Sequence, residues 1–221
     1  MVKNAWNFIL PALVLAVSFA LLGNDGYCCA WVLCALAVLF AAFCAYFFRS
    51  PERAIPSDPN LVVSPADGKV IAIEPIDDPW LGKGMEIRIF LNVFNVHVQR
   101  NPFTTPTTVE GTRYFAGKFL AASVPKASLE NEQHWFRLAS GKRRIMVKQI
   151  AGLIARRILC DIHEGQALTA GQRIGIIRFG SRTDLYLPEG TLPLVAVGQR
   201  MIGGETVIAE LRPTPAPVPV L

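Results

Sequence analysis

Gly175-Ile-Ile-Arg-Phe-Gly-Ser-Arg-Thr-Asp-Leu-Tyr-Leu-Pro188 holds two short apolar runs that meet at a Gly180-Ser181 corner. Each run, Ile174–Phe179 and Asp184–Leu187, is too short for a stable helix and reads as a strand. The same pattern repeats outward on both sides. Lys69–Glu74, Met85–Phe90, Val93–Val98, Arg144–Ile150, Leu194–Val197 and Glu205–Leu211 are further strand-like runs, with Gly and Pro between them. Helix is predicted for Lys126–Glu132 and Ile150–Arg157. Residues 61–211 therefore predict a mainly β domain, an antiparallel sandwich or partly open barrel with few short helices.

Further from the corner the composition changes. Of the first 48 residues, only Lys3, Asn4, Asn7, Pro11, Ser18, Gly23, Asn24, Asp25 and Gly26 fall outside the hydrophobic set. This segment is why the whole chain is 52% hydrophobic with a mean hydropathy of +0.35. Tyr27–Phe48 is uncharged and long enough to cross a hydrocarbon core about 30 Å thick. Ala5–Leu22 is its companion, and Gly23-Asn24-Asp25-Gly26 is a turn between them, so residues 1–48 predict a membrane-associated helical hairpin. Lys3 before it and Arg49 and Arg53 after it place both ends on the cytoplasmic face of the inner membrane. A cleaved secretory signal is the competing reading; its basic region would be one lysine, and a second apolar run follows at once. Residues 49–60, with Pro51, Pro56 and Pro59, read as a linker, and residues 212–221, with four prolines, as an extended tail.

The net charge of +5 lies in the part after the hairpin. Lys142-Arg143-Arg144 and Arg156-Arg157 suit anionic lipid head groups or are simply solvated. No helix-turn-helix, zinc-finger or RNP-like pattern points to nucleic acid. Cys28, Cys29, Cys34 and Cys44 read as small hydrophobes, and Cys160 stands alone. With His97, His134 and His163 far apart, no metal site is expected.

Three constellations have chemical potential. Ser64-Pro65-Ala66-Asp67-Gly68-Lys69 is a turn whose plain reading is structural, since Asp-Gly caps hairpins. In Phe94-Asn95-Val96-His97-Val98, alternation puts Asn95 and His97 on the polar face. There His97 is either an ordinary surface histidine or an acid–base group near neutral pH. Arg178-Phe179-Gly180-Ser181-Arg182 is a corner without the Gly-x-Ser-x-Gly elbow of α/β-hydrolases.

Taken together these motifs resemble the phosphatidylserine decarboxylases, in their short bacterial form. The resemblance runs through Phe47–Arg53, Val62–Val70, Phe94–Pro102, Ala127–Glu132, Gln149–Ile158 and Gly175–Pro188; Gln133-His134 departs from it, since an arginine is expected after Glu132. It implies self-cleavage between Gly180 and Ser181 into chains 1–180 and 181–221 that stay associated. It further implies that Ser181 becomes a covalent pyruvoyl cofactor forming a Schiff base with the substrate, and that phosphatidylserine is converted to phosphatidylethanolamine and CO2 at a membrane. His97 maps to the base and Asp67 to its orienting carboxylate. Elementary chemistry agrees: a weak serine nucleophile needs a base, the base needs orienting, and decarboxylation needs an electron sink. Arg156 and Arg157 are candidate contacts for the lipid phosphate.

Two other readings stay open. One is a membrane-anchored serine hydrolase with Ser181, His97 and Asp67 as a stable triad. The other is a biotinyl/lipoyl-like binding module, suggested by the echo between Leu168–Gly175 and Val195–Gly203, with Lys69 as acceptor.

Overall fold

The computed structural model describes residues 1–122, 124, 126–153, 158–178 and 181–211. Gly180, Arg156, Arg157 and the proline-rich tail lie outside the described residues. The chain divides into two units, Met1–Glu52 and Arg53–Leu221.

The first unit is a helical hairpin. A 3-10 turn, Lys3–Ala5, leads into α1 (Trp6–Asn24), and α2 (Cys28–Phe47) returns beside it. Both helices are long and apolar enough to cross a membrane. Small residues form the seam: Ala12 and Ala16 on α1 and Ala30, Ala41 and Cys44 on α2 are buried, while Leu10, Val14, Leu36 and Leu39 face outward. This is the composition expected where lipid, not water, surrounds the pair, because small side chains let backbones approach. Gly23 shows how close that approach is, since a Cβ there would lie 2.7 Å from the Trp31 indole nitrogen.

The second unit is mainly β, and every pairing between its strands is antiparallel. In chain order the elements are β1 (Leu61–Val63), β2 (Gly68–Asp78), β3 (Gly82–Leu91), β4 (Val98–Arg100) and β5 (Thr107–Phe115). Then come α3 (Ala127–Glu130), β6 (Gln133–Ser140), β7 (Arg143–Ala151), β8 (Ile158–Cys160) and β9 (Ala167–Leu168). The last are β10 (Arg173–Ile177), β11 (Ser181–Pro188), β12 (Thr191–Pro193), β13 (Arg200–Met201) and β14 (Val207–Leu211). Eight strands form one curled sheet in the order β13-β2-β3-β11-β7-β6-β5-β9. Register shifts in β2 and β5 help bend it. Two three-stranded sheets, β4-β10-β8 and β1-β14-β12, complete the unit.

Alternation gives the large sheet two unlike faces. Ile87, Ile89, Leu91, Ile145, Val147, Leu185 and Leu187 point into the main core. Their neighbours Glu86, Arg88, Lys148, Arg182, Asp184 and Tyr186 carry a charged network on the opposite face.

Three local expectations are corrected. Val93–Val98 is not a strand: Asn92 and Asn95 accept the N–H groups of Phe94 and Asn92 at 2.9 and 2.8 Å, locking a turn, and β4 starts at Val98. Leu194–Val197 lies beyond β12 and leads into a turn. Ile150 and Ala151, expected to open a helix, end β7 instead. The echo in the sequence, by contrast, is a repeated turn. Gln172 accepts the Thr169 N–H at 2.9 Å, and Gln199 accepts the Ala196 N–H at 3.1 Å. Gly171 and Gly198 occupy equivalent positions at φ +61° and +95°, where a side chain is strained.

Candidate active site

Ser181 is the first residue of β11, the strand at the heart of the large sheet, and pairs with Leu91 on one side and Ala151 on the other. It is fully buried, and among the described residues its Oγ has no hydrogen-bond partner. A buried hydroxyl without a partner costs stability, so it marks a reactive or binding position.

His97 approaches from the small sheet. The last residue of β10, Ile177, donates its N–H to the His97 carbonyl at 3.3 Å, so His97 flanks the chain just before the corner. The imidazole is fully buried, and Nδ1 lies 3.0 Å from the Asn95 carbonyl. A carbonyl can only accept, so Nδ1 carries a proton and donates it there. The Asn92–Asn95 turn presents that carbonyl, a role the strand-like reading of this stretch concealed.

Asp67 is held elsewhere. Its carboxylate accepts from Arg53 at 3.0 and 3.1 Å and from the Gly203 N–H at 2.8 Å. The expected direct pairing with His97 is thus replaced by an ion pair that ties the start of the second unit to the Asp67 turn. That turn still meets β4, the strand that follows His97, because Arg100 donates its N–H to the Pro65 carbonyl at 2.8 Å. Burial, with Arg173 and Arg53 close by, lowers the Arg100 pKa. Gly68 follows Asp67 because a Cβ there would meet the Phe90 carbonyl oxygen at 2.4 Å.

Other residues were not singled out by sequence. Arg182, next to Ser181, is fully buried and pairs with Asp184 through two hydrogen bonds of 2.8 and 2.9 Å. It also donates to the carbonyls of Ala122 and Val124 and to the Ser128 hydroxyl. Burial pushes the Asp184 carboxyl up to about 7; Arg182 opposes this and Glu86 adds to it. Tyr186 donates to Glu86 at 2.7 Å and accepts from Lys148 at 2.7 Å, and burial lowers the Lys148 pKa. A pocket of about 390 Å³ opens over this network, lined by Glu74, Arg88, Lys126 and Ser128 among others. Asn131, from the Ala127–Glu132 motif, donates to the carbonyls of Leu120 and Ala151 at 2.8 and 2.7 Å. It thereby fixes the end of β7 opposite Ser181. On the inner face Gln149 donates to Gln99 at 2.6 Å, joining β7 to β4.

Known proteins carry the same pattern. A family model described as phosphatidylserine decarboxylase matches residues 40–209. The chain is 50% identical over 210 residues to the phosphatidylserine decarboxylase proenzyme of Granulibacter bethesdensis, covering 92% of this chain and 84% of that protein. It is 52% identical over 188 residues to the proenzyme of the same name from Cereibacter sphaeroides, covering 82% and 80%. For the one from Nitratidesulfovibrio vulgaris the identity is 46% over 211 residues, covering 92% and 93%. With the buried serine corner and its histidine inside the matched span, the chain belongs to the phosphatidylserine decarboxylase family.

Proposed function

We propose that this chain is a self-cleaving proenzyme which, once cut between Gly180 and Ser181, decarboxylates phosphatidylserine to phosphatidylethanolamine and CO2 at the cytoplasmic face of the inner membrane. The observation that carries the reading is the fully buried Ser181 at the start of the central strand, its Oγ without a hydrogen-bond partner among the described residues.

In the cut, His97 Nε2 takes the hydroxyl proton as Ser181 Oγ adds to the Gly180 carbonyl carbon. The C–N bond breaks, the new amine takes the proton, and an ester links the two residues. Elimination then frees Gly180 as a carboxylate terminus and leaves a dehydroalanine at 181. Addition of one water and loss of one ammonia turn it into a pyruvoyl group. The residue fits such a group: its side chain is closed to solvent and has no competing hydrogen bond among the described residues. A ketone there supplies the electron sink that ordinary side chains cannot. His97 also returns a proton to the carbon that has lost CO2. Asp67 acts as a positioning residue, through the turn that clamps β4, the strand following His97. Arg156 and Arg157 hold the lipid phosphate, and the apolar hairpin keeps the enzyme where a diacyl substrate resides.

Mass spectrometry of the purified protein tests this reading. Two chains are expected, residues 1–180 and 181–221, the second blocked to Edman degradation and reactive toward carbonyl reagents. Ser181→Ala should stay intact and inactive. A single-chain wild type that still reacts on lipid would overturn the pyruvoyl reading and favour the hydrolase triad.

A further inference from the structure

The inner face beside Ser181 holds more unused hydrogen-bonding capacity than the serine accounts for. Gln99 Nε2, Gln149 Oε1 and Thr183 Oγ1 are, like Ser181 Oγ, buried and without partners among the described residues. All four residues are fully buried. They also form a connected circuit. Thr183 faces Gln149 in register across β11 and β7, and alternation puts Thr183 on the same side of β11 as Ser181. Gln149 reaches Gln99 at 2.6 Å, and Gln99 lies two residues along from His97. Room for the glutamine pair is built into β10: a Cβ on Gly175 would lie 2.9 Å from Gln149 Nε2. Buried polar groups are normally satisfied, so a ring of open ones at a reacting residue is kept for a polar ligand.

We propose that Gln99, Gln149 and Thr183 form the subsite that recognises the α-amino-acid end of the lipid headgroup. This rests on the decarboxylase reading above and deepens it. The inventory matches the ligand. The Gln99 amide and the Thr183 hydroxyl donate to the two carboxylate oxygens, and Gln149 Oε1 accepts from the neighbouring amine. All three side chains are uncharged, and that suits the reaction. A cation would stabilise the carboxylate in the ground state and oppose its departure as neutral CO2, whereas neutral donors orient it without neutralising it. The product has lost the carboxylate, so the two donors are left unpaired again and its release is favoured.

The test uses the full-length processed protein in detergent and two probes that differ in one carboxylate, O-phosphoserine and O-phosphoethanolamine. Calorimetric titration should show Thr183→Val weakening phosphoserine binding about 10–100-fold, the effect of losing one hydrogen bond to a charged group. Phosphoethanolamine binding should not change. The thermal midpoint should not fall, because the variant swaps an unpartnered hydroxyl for a methyl of the same shape, and Thr183→Ser should restore binding. The paired variant Gln99→Leu with Gln149→Leu should discriminate in the same way. Equal losses for both probes, or none for either, would overturn the subsite. Should the wild type decarboxylate phosphatidylserine yet bind both probes alike, the subsite falls and the proposed function stands. A wild type that stays one chain and converts no lipid overturns both.

Discussion

Arg182 follows Ser181, is fully buried, and spends its guanidinium on Asp184 and on the segment around Ala122–Ser128. Removing it leaves a buried carboxyl without its counter-charge and releases that segment. Arg182→Met should therefore cost about 3–5 kcal/mol in denaturant unfolding, and adding Asp184→Asn should recover part of the loss. His97→Ala tests the neighbouring function rather than the packing: the precursor should accumulate uncut, read as one band where the wild type gives two. Cleavage at the normal rate would reassign the base, with His163 and His134 the next candidates. At this scale Ser181 stood out in the sequence as a serine after glycine at a strand junction, whereas the polar face read for His97 gave way to a turn and a fully buried ring. Gln99, Gln149 and Thr183 did not stand out. Polar residues inside a strand read as solvent-facing until the second sheet is seen to cover them. Asp67 was legible as a residue but not in its partner, since Arg53 and Gly203 come to it from distant parts of the chain.

Among the elements, the strong apolar runs became strands as read, β3, β7 and β11 with only small changes at their ends. β5 and β6 escaped notice. Thr107–Phe115 mixes charges, glycine and a register shift, and Gln133–Ser140 opens with polar and aromatic residues, so neither shows clean alternation. The Asn92–Asn95 turn was misread for the opposite reason, because its apolar residues alternate while its asparagines bond the backbone. β6 also carries a pH handle. Burial lowers the pKa of His134 below its ordinary value of 6.5, and its Nε2 lies 3.0 Å from Thr112 Oγ1. As pH falls below about 6.5 the unfolded chain takes up a proton that the folded one resists, so stability should drop with acidification. Thermal melts from pH 7.5 to 5.5 should show that slope, and His134→Gln should flatten it. A slope that survives the substitution would assign it to another group.

For the molecule as a whole, the chemistry and the hairpin belong to separate units. Deleting residues 1–48 should leave self-cleavage largely intact and lower activity on bilayer phosphatidylserine far more than on a short-chain dispersed analogue. Equal losses on the two substrates would mean that the hairpin supports the fold of the second unit rather than access to lipid.

β11 begins at Ser181 and is flanked on both sides by strands from earlier in the chain. The proposed cut at its first residue would turn a one-body folding problem into a two-body one. The newborn precursor folds with its central strand attached; the mature enzyme, once denatured, would have to recapture residues 181–221 from solution. Meanwhile β3 and β7 would lie open as bare sheet edges, which invite aggregation. Refolding yield should then depend on protein concentration for the mature enzyme and not for uncut Ser181→Ala. Maturation by that cut would be a one-way door: the working lifetime would be set by the rate of unfolding, with no second folding to fall back on.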